Sequence, residues 1–411
     1  MATVVLIGTL DTKGQEYRYV RDTLEAKGVT PLLVDTGTRE PSIAPDVDHD
    51  AVASAAGTSI AELLAADDRG AAMTAMGRGA AEVLRRLHAE GRCDGVLAMG
   101  GSGGTSVATQ AMRALPIGVP KLMVSTMASG DTRPYVGAVD IAMLYSVVDI
   151  AGINAVSAEI LGNAAGAIAG MVTTQAPPVA EQRPLVGASM FGVTTPAVDA
   201  ARERLTELGY EVLVFHATGS GGRSLEALAR DGWLAGVLDL TTTELCDDLV
   251  GGVLSAGPDR LEAAGELGLP QVVSLGALDM VNFGPRETVP PQFEDRNLYV
   301  HNPTVTLMRT TPEETAELGR RIARKLNGAT GPTALYIPLG GVSLIATEGQ
   351  PFHDPSADTA LFAALRQHVD PTVVDVVERD THINDPDFAR EMADALDARI
   401  RAVSPEAAPR E

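Results

Sequence analysis

The sequence predicts an α/β protein of two Rossmann-like, doubly wound domains with mainly parallel sheets. Short apolar runs alternate with segments of helical periodicity along most of the 411 residues, a pattern typical of parallel strands covered by helices. A Pro-rich stretch at 173–184 separates two such series. With an offset of 181 positions, Val4 falls on Leu185 and Asp35 on His216. The predicted division is an N-terminal domain at 1–178, a C-terminal domain at 183–403 and a tail at 404–411.

Apolar runs and helical periodicity place the individual elements. The first half has predicted strands at 3–8, 29–34, 93–99 and 119–125, with helices at 15–27, 58–66, 70–90, 104–114 and 150–170. A Pro/Gly/Asp-rich connection is expected through about residue 56. The second half begins a strand at Leu185 and has further strands at 235–240, 270–275, 333–338 and 372–377, with helices at 313–326, 358–368 and 386–402.

The amino-acid composition limits the classes of molecule that the chain is expected to bind. The chain has 54 acidic and 32 basic residues, a formal charge of −22. Such a charge opposes contact with phosphate backbones and anionic lipid, so nucleic acid and membranes are not expected partners. Cys93 and Cys246 form neither a disulfide framework nor a metal-finger spacing. The N-terminus enters a strand without a basic segment, and no uninterrupted apolar span of about 20 residues occurs, which predicts a cytoplasmic protein.

A glycine-rich turn at 100–104 follows an apolar strand and precedes a helix. Glycines leave backbone N–H groups accessible, and a helix N-terminus carries partial positive charge, so the turn suits a phosphate or carboxylate. This turn lacks the dinucleotide spacing, and the loop Gly8–Gly14 after the first strand is not a Walker sequence. A second glycine turn lies at 219–222.

Three loops of the first domain are expected at one edge of its sheet, because parallel strands end together and ligands bind there. The loops are Gly8–Gly14, Gly100–Ser106 and Ser125–Arg133. Lys13 and Arg133 can neutralise phosphate, and Asp11 or Asp131 can hold Mg²⁺. Thr12 with Gln15 also fits a capping box, which would explain the first loop as helix initiation alone.

The second domain carries most residues suited to proton transfer. His216, Glu244 and His301 are the candidate catalytic set, since histidine and a carboxylate can perform acid–base chemistry in a cleft. His382–Pro386 reads mainly as a helix entry with Asn384 or Asp385 as the cap. No His/Cys set has the spacing of a transition-metal site.

In combination, these motifs resemble a widespread family often described as Tm-one-like ATP-binding proteins. The motifs are Gly8–Gly14, Gly100–Thr105, Ser129–Asp131, Gly340–Ser343, Gly349–Pro355 and His382–Asp385. The resemblance implies two Rossmann-like subdomains, ATP with Mg²⁺ in the N-terminal one, and a dimer. The expected assembly is a homodimer or a higher homo-oligomer. Carried over residue by residue, it assigns nucleotide contacts to Thr9, Asp11, Lys13, Gly101, Ser102, Gly103, Gly104 and Thr105; the loop argument adds Asp131.

The expectation is therefore a protein that binds ATP–Mg²⁺, or a related phosphorylated ligand, through its first domain. Two alternatives stay open at this point. One is a lyase or hydrolase acting on a small carbonyl acid without nucleotide, and the other is a non-catalytic regulator that responds to nucleotide. The acid–base residues of the second domain favour an enzyme, of unspecified reaction class.

Overall fold

The computed structural model describes residues 1–175 and 183–403. The chain divides into two compact units, Met1–Pro178 and Val179–Glu411, here called unit 1 and unit 2. The predicted tail at 404–411 and the centre of the predicted linker, 176–182, lie outside the described residues.

Unit 1 contains a five-stranded, fully parallel sheet. Its strands are β1 (Thr3–Gly8), β2 (Thr30–Asp35), β3 (Gly95–Gly100), β4 (Lys121–Ser125) and β5 (Ala142–Tyr145). They lie in the order β2-β1-β3-β4-β5. The helices are α1 (Leu10–Ala26), α2 (His49–Ala55), α3 (Ile60–Ala66), α4 (Arg69–Ala89), α5 (Ser102–Met112), α6 (Arg133–Val136) and α7 (Ala155–Thr173).

Helices cover both faces of the unit 1 sheet. Apolar side chains of α1 and α7 form a core on one face, and those of α2, α4 and α5 form a core on the other. The inner strands β1 and β3 are apolar on both faces, with every residue of β3 buried. This two-sided burial explains why both strands read as continuous apolar runs.

Unit 2 contains a six-stranded parallel sheet and a small antiparallel one. The strands are β6 (Leu185–Met190), β7 (Glu211–His216), β8 (Leu234–Thr241), β9 (Gln271–Gly276), β10 (Met280–Phe283), β11 (Leu298–Asn302), β12 (Val305–Arg309), β13 (Thr333–Pro338) and β14 (Val374–Arg379). The large sheet has the order β14-β13-β9-β8-β6-β7, and the small sheet β10-β12-β11. The helices are α8 (Thr195–Glu207), α9 (Ser220–Arg230), α10 (Glu244–Val250), α11 (Ala263–Glu266), α12 (Pro312–Asn327), α13 (Pro355–His368) and α14 (Pro386–Val403).

The two units repeat one topology. Counted along each parallel sheet from its own first strand, both have the order 2-1-3-4-5, to which unit 2 adds a sixth strand at the edge. The antiparallel sheet is an insertion between the fourth and fifth strands of unit 2. The predicted fold class is confirmed.

Most predicted elements are present within a few residues. The elements that the sequence analysis did not place are β5 at the sheet edge, the inserted antiparallel sheet, and the helices α2, α6, α9, α10 and α11. The helix α2 begins where Asp48 accepts a hydrogen bond from the N–H of Ala51, a local signal inside a Pro- and Asp-rich stretch. The entry to α14 is as predicted, with Asp385 as the cap that accepts from the N–H groups of Asp387 and Phe388.

One helix among the described residues, α7, is long and apolar enough by length and composition to cross a membrane. In unit 1 it is a packing helix, since Leu161, Ala165 and Ile168 are buried against the sheet. The sequence analysis expects no membrane-spanning segment, whereas α7 has the length and composition of one. A cytoplasmic location stays a prediction.

Candidate functional site

The candidate site of unit 1 lies at the carboxyl ends of β1 and β3, neighbouring strands at which the sheet order reverses. The helix after β1 packs on one face of the sheet, and the helix after β3 packs on the other. The two connections therefore diverge and leave a crevice, which is where open α/β sheets bind ligands. The glycine turn follows β3, and Thr9, Asp11 and Lys13 follow β1.

Tyr17 joins the two strands beneath the crevice. Its hydroxyl accepts the N–H of Met99 at 3.1 Å and donates to the carbonyl of Ile7 at 2.5 Å. Burial raises the pKa of this phenol, so it stays a neutral donor and acceptor. A Cβ at Gly8 would lie 1.9 Å from the Tyr17 hydroxyl, so the end of β1 needs glycine for this side chain to fit.

The glycine turn, Gly100–Gly104, ends β3 and begins α5. Gly101 is the N-cap and has no side chain to cap the helix. Within the described ranges, the backbone N–H groups of Ser102, Gly103 and Gly104 have no acceptor. Bare N–H groups at the positive end of an 11-residue helix form a surface suited to an anion.

Packing within the chain does not demand glycine at Gly101, Gly103 or Gly104, whereas a Cβ at Gly100 would lie 3.0 Å from Cα of Gly104. A Cβ at Gly101 or at Gly104 would approach no atom nearer than 3.7 Å, and neither residue has a positive φ. A Cβ at Gly103 would lie 3.3 Å from the tip of Met73, a flexible side chain. A glycine whose surroundings admit a side chain is typical of backbone that a ligand approaches closely.

Thr105 supports the turn from behind. It is fully buried, and its Oγ1 lies 2.6 Å from Oγ of Ser125 at the end of β4. Its backbone N–H donates to the carbonyl of Gly101 at 2.9 Å. Thr105 thus ties the first turn of α5 to β4, and its predicted direct contact with a nucleotide stays a prediction.

The segment after β1 forms an extra turn before the main part of α1. Lys13 has non-helical dihedral angles, and its N–H donates to the carbonyl of Thr9 at 2.9 Å. The alternative capping box of Thr12 and Gln15 does not form, because the helix begins at Leu10 with Thr9 as its N-cap. The ammonium of Lys13 donates to the carbonyl of Ile150, which leaves it two further N–H donors.

Asp131 and Arg133, predicted in the third loop, are paired with each other. The guanidinium of Arg133 donates to both carboxylate oxygens of Asp131, at 2.9 and 2.8 Å. This contact lowers the pKa of Asp131 to about 2. Both side chains are exposed, at 89% for Arg133 and 52% for Asp131. Arg133 therefore already has an anionic partner, and a role of either residue at the crevice stays a prediction.

Two residues near the crevice were not singled out by sequence reasoning. Arg69, the first residue of α4, places a guanidinium nitrogen 3.8 Å from the Cβ position of Gly103. In the described part of the chain, its side chain has no ion pair or hydrogen bond. Asp35, at the end of β2, is fully buried beside Asp11 and Gly37. An acidic residue ending the second strand is a known Rossmann signal that could have directed attention to Asp35; no sequence signal pointed to Arg69.

In unit 2, the side chain of Glu244 occupies the glycine turn at 219–222. Glu244 is fully buried, and its Oε1 accepts the N–H of Gly219 at 2.6 Å and that of Gly222 at 3.0 Å. Its Oε2 accepts from Nε of Arg260 at 2.7 Å. A Cβ at Gly222 would lie 2.0 Å from Oε2 of Glu244, so here packing within the chain does require glycine.

Arg260 is the centre of a buried ionic network. Its guanidinium donates to both oxygens of Asp239, to Glu244, and at 3.4 Å to Glu226. Asp239 in turn accepts from the hydroxyl of Ser189 at 2.6 Å. The contacts hold α9, α10 and β8 together around one cation. Three carboxylates share this one buried guanidinium, and a buried arrangement so fully hydrogen-bonded is typical of a structural network.

The predicted catalytic set is not joined by any described contact. His216 is exposed at the end of β7, where its ring packs edge-on against Phe191 with centroids 5.5 Å apart. His301 is exposed on β11 of the antiparallel sheet, near Tyr299. No hydrogen bond links His216, Glu244 and His301, although all three belong to the described ranges. Their catalytic role stays a prediction.

The two glycine turns occupy different places in the repeated topology. The turn of unit 1 follows the third strand of its sheet, whereas the turn at 219–222 follows the second strand of unit 2. The place equivalent to the first turn is held by Thr241–Glu244, whose residues are buried. The two glycine turns are therefore not equivalent positions of the repeated topology.

These observations define a doubly wound α/β protein of two Rossmann-like units, each with the same strand order. The chain belongs to uncharacterised protein family UPF0261: the N-terminal domain of that family matches residues 2–177, and the C-terminal domain matches residues 183–400. The resemblance drawn from the motifs is confirmed.

Relatives match along nearly the whole chain. The identity is 55% with a UPF0261 protein of Clostridium tetani, over 96% of this chain and 98% of that protein. It is 41% with the ToMV resistance protein Tm-1 of Solanum lycopersicum, over 96% of this chain but only 55% of that protein. A putative UDP-N-acetylglucosamine 2-epimerase of Listeria monocytogenes matches 90% of this chain and 97% of its own at 13% identity, with a TM-score of 0.25, which identifies no function.

Proposed function

We propose that the chain binds a magnesium–nucleoside triphosphate complex, ATP first among such ligands, at the crevice of unit 1. The observation that carries the proposal is the glycine turn Gly100–Gly104. Within the described residues it presents three N–H groups without an acceptor, and the surrounding packing does not require glycine at Gly101, Gly103 or Gly104. A close-packed phosphate group explains both features.

The cations around the crevice support a polyphosphate over a single carboxylate. Lys13 follows β1 and keeps two free N–H donors, while Arg69 lies beside Gly103 without an anionic partner among the described residues. Lys13, Arg69 and the N-terminus of α5 are thus three separate sources of positive charge for binding an anion. In a chain of net charge −22, such a concentration of donors is what an anionic small molecule requires.

Asp11 fits the magnesium ion of such a complex. Its Oδ1 is buried and has no hydrogen-bond donor within the described ranges. Mg²⁺ binds proteins through one or two carboxylates and completes its shell with water and phosphate oxygens. No group of three or more His, Cys, Asp or Glu side chains in the described residues is placed to hold a metal alone. Asp11 would hold the ion, which when bound offsets the charge of the phosphates.

The unit 2 residues do not favour the alternative lyase or hydrolase. That mechanism needs an available base, and the carboxylate of Glu244 is fully buried and bound by Arg260 and two backbone N–H groups. For the same reason, the second glycine turn is expected to bind no nucleotide. The homodimer implied by the family resemblance stays a prediction.

Isothermal titration with Mg²⁺–ATP tests the proposal. We expect one nucleotide per chain, and Lys13→Ala is expected to weaken binding by about 10- to 100-fold, because it removes a charged donor worth about 1.5–3 kcal/mol. Lys27→Ala is the matched control, since Lys27 is exposed at the opposite end of α1. The absence of heat at millimolar nucleotide would overturn the proposal, as would equal affinities of wild type and Lys13→Ala.

A further inference from the structure

A cleft of about 480 Å³ opens on the surface of unit 1, where α4 packs against α2 and α5. Part of its lining consists of alanines from these three helices, whose short side chains leave the space open. Its volume is in the range of sites that bind small molecules. The cleft lies at the last turn of α5, about 15 Å along the helix axis from the glycine turn at the N-terminus. It is therefore separate from the crevice.

Positive charge predominates among the polar side chains that line this cleft. Arg78 and Arg85 lie two turns apart on α4, and Arg113 is the C-cap of α5. Glu82 is the one acidic residue in the lining. Three guanidinium groups and one carboxylate give the lining a net charge of +2, in a chain whose formal charge is −22. Such a local concentration of positive charge attracts an anion.

Of the three arginines, Arg85 alone has a carboxylate partner among the described residues, the exposed Glu82. Arg78 forms no ion pair or hydrogen bond with any residue in the described ranges. Arg113 is half-buried and donates through Nη1 to two backbone carbonyls of α6, so its Nε and Nη2 have no acceptor within those ranges. Burial lowers the pKa of Arg113, as expected of a guanidinium without a carboxylate partner.

Gln110 adds a neutral polar group to the cleft. A Cβ at Gly77 of α4 would lie 2.2 Å from Oε1 of Gln110 and 2.8 Å from its Cδ, so the carboxamide takes the place of a side chain on α4. Glycine inside a helix is less favourable than alanine, and here it gives the carboxamide room. Within the described part of the chain the carboxamide has no hydrogen bond, which leaves it available to a ligand.

We propose that this cleft binds the phosphate group of a phosphorylated small molecule. The fork of a guanidinium matches two oxygens of a phosphate group, and Arg78 and Arg113 have donors to spare. A phosphate monoester carries a charge of about −1.5 to −2 at neutral pH, which balances the lining. The alanine side of the cleft receives the rest of the molecule. The inference does not depend on the proposed function, because none of these residues is assigned to the nucleotide.

Equilibrium dialysis of the whole chain against radiolabelled inorganic phosphate tests this site, with chloride holding the ionic strength constant. We expect the cleft to bind one phosphate with a dissociation constant on the order of 1 mM. Arg78→Ala should weaken this binding about tenfold, because it removes a charged donor. Arg86→Ala is the matched control and should bind like wild type, since Arg86 is exposed on the same helix but does not line the cleft.

Glu82→Gln should have the opposite effect. It removes the one carboxylate that lines the cleft, so phosphate should bind about two- to fivefold more tightly. Damage to the fold does not explain tighter binding, so this variant keeps the test decisive if Arg78→Ala is destabilised. A wild type that binds no phosphate overturns the inference, as do equal affinities of wild type, Arg78→Ala and Glu82→Gln.

Lys13→Ala separates the cleft from the crevice. If the proposed function holds, wild type binds a second phosphate at the glycine turn, and Lys13→Ala weakens that site alone. A single phosphate that Arg78→Ala weakens and Lys13→Ala does not supports the cleft, even if the proposed function fails. A single phosphate that Lys13→Ala weakens and Arg78→Ala does not overturns the inference and leaves the crevice in place.

Discussion

Glu244→Ala is expected to destabilise unit 2 strongly. The Glu244 carboxylate is fully buried and accepts three hydrogen bonds, from the N–H groups of Gly219 and Gly222 and from Nε of Arg260. Alanine removes the acceptor of all three. If Glu244 instead serves as a catalytic base, its removal should cost activity and leave the free energy of unfolding nearly intact.

The expected loss is about 3–5 kcal/mol of unfolding free energy, the usual cost of removing one partner of a buried ion pair. Each orphaned N–H group contributes about 1–3 kcal/mol of this, less whatever entering water restores. Arg260 keeps its two-oxygen contact with Asp239, so its charge stays compensated and the loss should not exceed this range.

Urea unfolding followed by tryptophan fluorescence measures this effect. Trp233 is the only tryptophan in the chain and lies in unit 2, so its signal reports that unit. Glu207→Ala is the control, since Glu207 is exposed and its one ion pair among the described residues is a surface contact with Arg204. Its loss of unfolding free energy should stay below about 1 kcal/mol. A Glu244→Ala chain within 1 kcal/mol of wild type would refute the structural role of Glu244.

Two further predictions concern the pH dependence of unit 2 and the crevice of unit 1. Burial raises the pKa of Asp247 to about 7, so its stabilising contribution is full below about pH 4 and is lost as pH rises through 7. Asp247→Asn should therefore flatten the fall in unfolding free energy between about pH 4 and pH 7 by up to about 1.4 kcal/mol per pH unit. Trp233 fluorescence in urea measures this slope, and an unchanged slope would contradict the prediction. Arg69→Ala should weaken Mg²⁺–ATP binding in titration by about tenfold, whereas Arg86→Ala, in the last turn of the same helix, should not; equal affinities would exclude Arg69 from the site.

The parallel sheets could be predicted because their inner strands are buried on both faces. β3, for example, is apolar throughout and ends in glycine. The antiparallel insertion could not, since a strand such as Met280–Phe283 is only four residues long and gains its partner Val305–Arg309 from a distant part of the chain. Short edge strands such as β5 carry too few residues for a periodic signal.

The candidate site was predictable only where its residues are adjacent in sequence. The glycine turn and Asp11–Lys13 each stand out as local motifs beside a strand end. Glu244 reads as an available acid after β8, because the sequence does not show that Arg260 meets it in the interior. Asp35 was not identified from the sequence, because its neighbour Asp11 is distant along the chain and comes close to it only in the folded protein.

Replacing Gly104 by alanine tests most directly whether the unit 1 turn holds phosphate. A Cβ at Gly104 meets nothing nearer than 3.7 Å, and one at Gly170 of α7 meets nothing within 4 Å. Both alanine variants should therefore fold, with unfolding free energies equal to wild type or up to about 1 kcal/mol higher. In titration with Mg²⁺–ATP, Gly104→Ala should bind about tenfold more weakly or worse, and Gly170→Ala should bind like wild type. A folded Gly104→Ala chain that binds Mg²⁺–ATP with wild-type affinity would contradict the proposed site.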